Sequence, residues 1–365
     1  MLFQQAEIGS LKLKNRFIRS ATWEGLATDD GEVTEKLIEK MVELARGGVG
    51  LIITGHAFVS PEGKASPRQL GVHHDGLVPG LKKMTEAVKE SGGKIVLQIA
   101  HAGAFALDSS KAIAPSAFRK AKEMSLDDVS RVVTCFADAA RRARDAGFDG
   151  VQIHAAHGYL LSQFLSPYFN KRSDAFGGNV QKRTRIVTDI LRAIRQKTGK
   201  DFPILIKINS EDFLDGGLTV DEMIESAKIL EAEGIDAIEL SGGTPISSEL
   251  IPVRVNKRRD DQELPYYIEA SRRLKAAVRV PVILVGGIRS YEMSEKIVRD
   301  NIADFVAMSR PLIREPSLIN RWQQGDRRPA LCVSDNLCFK PAMKGEGLYC
   351  VREKKIENSN NDSGS

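Results

Sequence analysis

Short runs of β-branched and apolar residues alternate with longer stretches of helical period along most of this chain. The strand-like runs fall at 17–20, 50–54, 94–99, 150–154, 203–208, 237–241, 281–285 and 305–308. Between them the spacing predicts helices over 35–46, 81–91, 127–146, 180–198, 219–233, 265–277 and 291–300. Ser125 ahead of Asp127 and Asp128, and Thr219 ahead of Asp221 and Glu222, read as N-caps with acidic first turns. Gly47, Gly92, Gly147 and Gly234 read as helix stops. Strands that are apolar throughout, alternating with helices, belong to a parallel sheet covered by helices. Eight such units predict the α/β class and a closed (β/α)8 TIM barrel. An open doubly wound sheet is the alternative. It would carry a glycine fingerprint after its first strand, and none follows Phe17 to Trp23.

The same pattern divides the chain. The barrel is expected over 1–330, a cysteine-containing extension over 331–356, and a polar, disordered tail over 357–365. Long loops are expected at 164–178 and 246–264. With 42% hydrophobic and 28% charged residues the chain can bury a sizeable core. Its longest apolar runs, such as 281–285, are too short to span a bilayer. Residues 1–5 lack the basic, apolar and small succession of a signal peptide. The four cysteines do not form a secreted disulfide scaffold, so a cytoplasmic protein is expected. A net charge of +5 is modest for 365 residues. The densest basic run, Arg254 to Arg259, meets Asp260, Asp261 and Glu263 at once, which suits a solvated loop better than a nucleic-acid surface.

Candidate chemistry collects where the strands end. His154, His157 and Tyr159 place two imidazoles and a phenol within six residues. Such groups donate hydrogen bonds to a substrate oxygen and deliver protons near neutral pH. Residues three apart in an extended chain face opposite ways. The two histidines therefore converge only if the strand ends near His154 and the chain then turns, for which Gly158 is suited. A zinc pair is the competing reading, but no third ligand accompanies it, and no metal is expected. Gly286 and Gly287 follow the seventh strand, and Ser309 and Arg310 the eighth. Loops at these two places often bind phosphate in barrels, through exposed backbone N–H groups and a forked guanidinium. Gln98 and Lys207 are polar residues inside apolar strands. Two explanations stand for them: internal pairing, with a carboxylate in the case of Lys207, or contact with an electron-rich heterocycle.

Taken in order, these motifs resemble those of the old yellow enzyme family of FMN-dependent oxidoreductases. The matching stretches are 13–20, 60–63, 98–103 and 153–161, then 164–167 with Asn170, 176–178 with Arg183, and the two terminal phosphate loops. The resemblance implies an NAD(P)H-dependent enzyme that reduces the C=C bond of an α,β-unsaturated carbonyl compound, an enone or enoate. It implies that His154 and His157 bind the activating oxygen and that Tyr159 donates the proton. Gln98 and Lys207 would contact the polar edge of the FMN ring, and Gly286, Gly287, Ser309 and Arg310 its phosphate. Ser20, Ala21, Thr22 and Trp23 would line the flavin face, with His56 close by. NADH and NADPH are both open as reductant, as is a homo-oligomeric state. The rival readings are an enoyl- or dienoyl-CoA reductase fed by an iron–sulfur cluster, and a redox-sensing flavoprotein without turnover.

Several residues depart from the family pattern. Trp23 stands where cysteine or threonine is common, and its bulk would narrow the pocket. His56 and Ala104 replace a small residue and an arginine, and Gln181-Lys182 replaces a Glu-Asn pair. Larger relatives carry four cysteines and a second flavin domain after the barrel. Here Cys332, Cys338 and Cys350 are present, with Asp335 where a further cysteine would stand. The extension is read as a remnant with free thiols or an adventitious metal ahead of a functional cluster.

Overall fold

The computed structural model describes residues 1–255 and 265–354. Most of the basic run after Arg254, the acidic residues behind it and the expected disordered tail lie outside the described residues.

Eight parallel strands among the described residues form the barrel: β1 (Phe17–Arg19), β2 (Leu51–Ile53), β3 (Ile95–Ala100), β4 (Val151–Ala155), β5 (Ile204–Asn209), β6 (Ala237–Ser241), β7 (Val282–Val285) and β8 (Phe305–Met308). Each pairs with its neighbour in sequence, and β8 pairs with β1, so the ring closes. These are the eight runs read from the sequence, shifted by a residue or so at the ends. The helices follow suit, though the one expected from Pro265 begins only at Ile268. Ser125 and Asp128, and Thr219 and Glu222, each form a reciprocal cap at a helix start.

The period of two along each strand separates two cores. One face packs against the surrounding helices. The other fills the barrel with Ile18, Leu51, Ile53, Val96, Leu205, Ile283 and Phe305. A hairpin of Ala6–Ile8 and Leu11–Leu13 adds Ile8, Leu11 and Leu13 to this inner layer. Strands of three residues are too short to show periodicity, so this plug was not legible in the sequence. Two residues further along the same inward faces the apolar layer gives way to polar side chains. Val96 is followed by Gln98, Leu205 by Lys207, and Ala237 by Glu239. That change of layer puts the chemistry at the C-terminal end of the barrel.

Candidate active site

The corner after β4 carries the two histidines and the tyrosine. The strand ends at Ala155, and His157 and Gly158 then both take left-handed backbone angles, with φ of 64° and 72°. A Cβ on Gly158 would lie 2.9 Å from Pro245 Cδ, so this position requires glycine. Left-handed geometry at a histidine costs about 1 kcal/mol or more and persists only when its surroundings fix it. The His157 N–H donates to Asn209 Oδ1 at 2.9 Å, and its Nε2 lies 2.8 Å from Ser241 Oγ. The ring of His154 thereby sits 5.0 Å from both the His157 and Tyr159 rings, edge to face with each. This is the convergence for which the sequence required a turn.

Burial sets the protonation of these groups. It holds the His154 and His157 imidazoles well below their ordinary value, helped by the Lys207 ammonium and the neighbouring imidazoles. It pushes the Tyr159 phenol up to about 12. His56, whose ring centroid is 5.6 Å from that of Tyr159, is lowered to about 4 by burial and then by Lys207. At neutral pH this wall therefore presents neutral imidazoles, each with one N–H to give, and a protonated phenol. His154 Nδ1 and His56 Nε2 are buried with no hydrogen-bond partner among the described residues. Orphaned polar atoms of this kind mark a site for a ligand rather than a finished core.

The floor is a connected polar network. Gln98 Nε2 donates to Gln152 Oε1 at 2.7 Å, and Gln152 Nε2 donates to Glu239 Oε2 at 2.7 Å. The other carboxylate oxygen of Glu239 lies 3.0 Å from Lys207 Nζ and accepts from Ser20 Oγ at 2.5 Å. Lys207 Nζ closes the set with a 2.7 Å bond to Ser20 Oγ. Both explanations offered for Lys207 thus have support: it has an internal carboxylate, and it also lines the cavity above. Gln152 and Glu239 were missed from the sequence. The signal was there, because a charge inside the apolar run of β6 poses the same problem as Lys207 in β5, and the two are in register.

At the other end Gly286 and Gly287 have φ of 107° and 77°, and a Cβ on either would come within 3.0 Å of the Tyr266 ring. Ser309 Oγ is 2.7 Å from Thr22 Oγ1. Arg310 Nη1 donates to the carbonyls of Arg254 and Ser334, at 2.7 and 3.2 Å, and to Asn336 Oδ1 at 2.8 Å. The C-terminal extension therefore orients this guanidinium, a contact that the strand pattern does not encode. Trp23 donates from Nε1 to Pro67 O at 3.2 Å and packs, like Cys338 and Phe339, against the cluster of Ile313, Ala342 and Leu348.

Between floor and glycine turn lies a cavity of about 460 Å³. Every residue given a catalytic or FMN-binding role in the sequence lines it: Ser20, Ala21, Thr22, Trp23, His56, Gln98, His154, His157, Tyr159, Lys207, Gly286, Gly287, Ser309 and Arg310. The volume is that of a cofactor site, for which roughly 300–1,000 Å³ is usual. A lysine and an amide at one end, apolar Val285, Ala307 and Met308 between, and a glycine turn with an arginine at the other end suit a flat ring carrying a phosphate. FMN fits this donor set.

The cysteines of the extension form a second, separate cluster. Cys332, Cys338 and Cys350 border one small cavity together with Asp335 and Arg314. All three are free thiols, and Arg314 Nη1 approaches Cys350 Sγ at 3.2 Å. Asp335 turns its carboxylate to Arg352 at 2.6 Å. Among the described residues no group of three or more His, Cys, Asp or Glu side chains is arranged to hold a metal ion. A cluster held by four thiolates does not fit this set. Among the described residues, too, no helix is long and apolar enough to cross a membrane.

Comparison with known proteins agrees with this geometry. Residues 1–328 match the NADH:flavin oxidoreductase / NADH oxidase family. An NADH oxidase of Thermoanaerobacter brockii is 36% identical over 348 residues, which is 92% of this chain but 53% of that protein. This chain thus spans about half the length of that relative. An NADPH dehydrogenase of Clostridium acetobutylicum is 33% identical over 87% of this chain and 93% of its own length. The structure of an old yellow enzyme homologue from Zymomonas mobilis superposes with a TM-score of 0.77 at 27% identity, over 91% of this chain and 95% of that one. The chain belongs to the NADH:flavin oxidoreductase / NADH oxidase family, that of the old yellow enzymes, with FMN as cofactor.

Proposed function

We propose that this protein is an ene-reductase, which saturates the C=C bond of an α,β-unsaturated carbonyl compound. The observation that carries this reading is the wall formed by His154, His157 and Tyr159 over one cavity. FMN, when bound and reduced by NAD(P)H, supplies hydride to the β-carbon. Gln98 and Lys207 hold the polar edge of its ring. Gly286, Gly287, Ser309 and Arg310 would hold its phosphate, and Ser20, Ala21, Thr22, Trp23 and His56 would line the rest of its site.

His154 and His157 each give an N–H to the substrate carbonyl oxygen and stabilise the negative charge that develops there. Their neutral state suits this task, since a neutral imidazole N–H polarises the oxygen without surrendering its proton, which leaves the proton transfer to Tyr159. Tyr159 keeps its proton through the neutral range, because burial pushes the phenol up to about 12. It delivers that proton to the α-carbon, on the face opposite the hydride. Trp23 narrows the pocket and favours slim substrates.

The test is enone-dependent oxidation of NAD(P)H by purified protein, run against a panel of enones, enoates and thioesters. Turnover with simple enones or enoates supports the reading. Turnover with thioesters alone would replace it by the CoA-ester alternative, and no turnover with any of them would overturn it.

A further inference from the structure

Glu239 is the one member of the floor network that carries a negative charge, and it does not border the cavity. It is fully buried. Its two oxygens are held by three donors, Lys207 Nζ, Ser20 Oγ and Gln152 Nε2, which come from β5, the end of β1 and β4. The Gln152 link continues to Gln98 on β3. Both residues contacting the polar edge of FMN in the reading above are therefore tied to this carboxylate, Lys207 directly and Gln98 through one amide.

We infer that Glu239 is a positioning residue that sets the redox potential of the bound flavin by neutralising Lys207. This rests on the assignment of Lys207 to the pyrimidine edge of FMN. Two-electron reduction leaves negative charge on that edge, and a bare ammonium beneath it would favour the reduced form strongly. An ammonium paired at 3.0 Å inside a low-dielectric floor presents much less net charge. The pair thus keeps the potential low, which lets the reduced cofactor give its hydride away readily. The pairing also points the ammonium, because Ser20 Oγ bridges Lys207 and Glu239.

The experiment is a reductive titration of purified holoprotein with a reference dye, comparing wild type with Glu239→Gln. The amide keeps the shape and can still meet Gln152 and Ser20. Glu239→Gln is expected to raise the midpoint potential, by about 30 mV for each tenfold gain in preference for reduced over oxidised FMN. Glu239→Asp, which keeps the charge, should restore most of the wild-type value. A purely structural role would weaken binding of both redox states alike and leave the potential in place, and that result overturns the inference. If Glu239→Gln fails to fold, the double variant Lys207→Met/Glu239→Gln decides. Removing both charges should leave the potential near wild type, whereas a marked fall would mean that Lys207 acts unneutralised. Wild-type protein that releases no FMN on denaturation would remove the assignment of the cavity itself. FMN release with an unmoved potential would remove only this role of Glu239.

Discussion

Two polar clusters share one cavity, and they are built in opposite ways. The corner of His154, His157 and Tyr159 is contiguous in sequence, held in left-handed backbone, and left with a buried nitrogen unpaired. The floor of Gln98, Gln152, Glu239, Lys207 and Ser20 is drawn from the interiors of four strands and the end of a fifth, and its charges are mutually satisfied. The difference separates two jobs. Groups without partners await a substrate, and groups with partners define a fixed field. Mutations in the corner should therefore act on rates with substrate, and mutations in the floor on cofactor and stability.

The largest break in this contrast is expected at Tyr159. Tyr159→Phe should slow reoxidation of reduced FMN by an enone by about 10²–10⁴-fold, the usual range for general acid catalysis. Flavin reduction by NAD(P)H should hardly change. Stopped-flow measurement of the two half-reactions checks this, and equal losses in both would make Tyr159 structural. Lys207→Met comes next and should act on folding, since it leaves Glu239 buried without its cation. Breaking one half of a buried pair typically destabilises by about 3–5 kcal/mol. Urea unfolding would read this, and an unchanged midpoint would mean that water reaches Glu239. His157→Ala should lose about 10²–10³-fold in the rate with enone, as for removal of one oxyanion donor. It should also weaken binding of phenolate ligands, while urea stability stays closer to wild type than in Lys207→Met.

The smallest effect sharpens the comparison through pH. His56 titrates at about 4 in the folded chain, and His154 and His157 lie well below their ordinary value. Unfolded histidine titrates near 6.5. As pH falls from 6.5 towards 4 the unfolded chain takes up protons that the folded chain refuses, so stability drops with acid. Each histidine contributes at most about 1.4 kcal/mol per pH unit in that window. Urea midpoints at pH 7.5 and pH 5 read these histidines together with His73 and His101, which burial also lowers to about 4, and with Glu24, which burial raises to about 7 and which acts in the opposite direction. His56→Ala isolates one contribution and should reduce the slope.

How much of this was legible in the sequence follows from the same contrast. The eight strands showed because each is an apolar run bounded by helical period. The corner showed because His154, His157, Gly158 and Tyr159 are neighbours. Gln98 and Lys207 showed as misfits in apolar strands, but their partners Gln152 and Glu239 did not, because pairing across strands is invisible until the register is known. The orientation of Arg310 by Ser334 and Asn336 was hidden for the same reason. The hairpin under the barrel was hidden because six short-strand residues carry no period. What the single sequence conveys well is local pattern, and what it withholds is contact between distant segments.

A single anaerobic turnover in deuterium oxide tests the ene-reductase reading most directly. NAD(P)H and enone are mixed rapidly with the protein together, so that transfer precedes exchange of the flavin N–H with solvent, and the product is analysed by mass and NMR. The arrangement of Tyr159 against His154 predicts a saturated product with one deuterium at the α-carbon and unlabelled hydride at the β-carbon when the flavin was reduced with protiated NAD(P)H under rapid mixing. Recovery of unreacted enone beside flavin that stays reduced would contradict it.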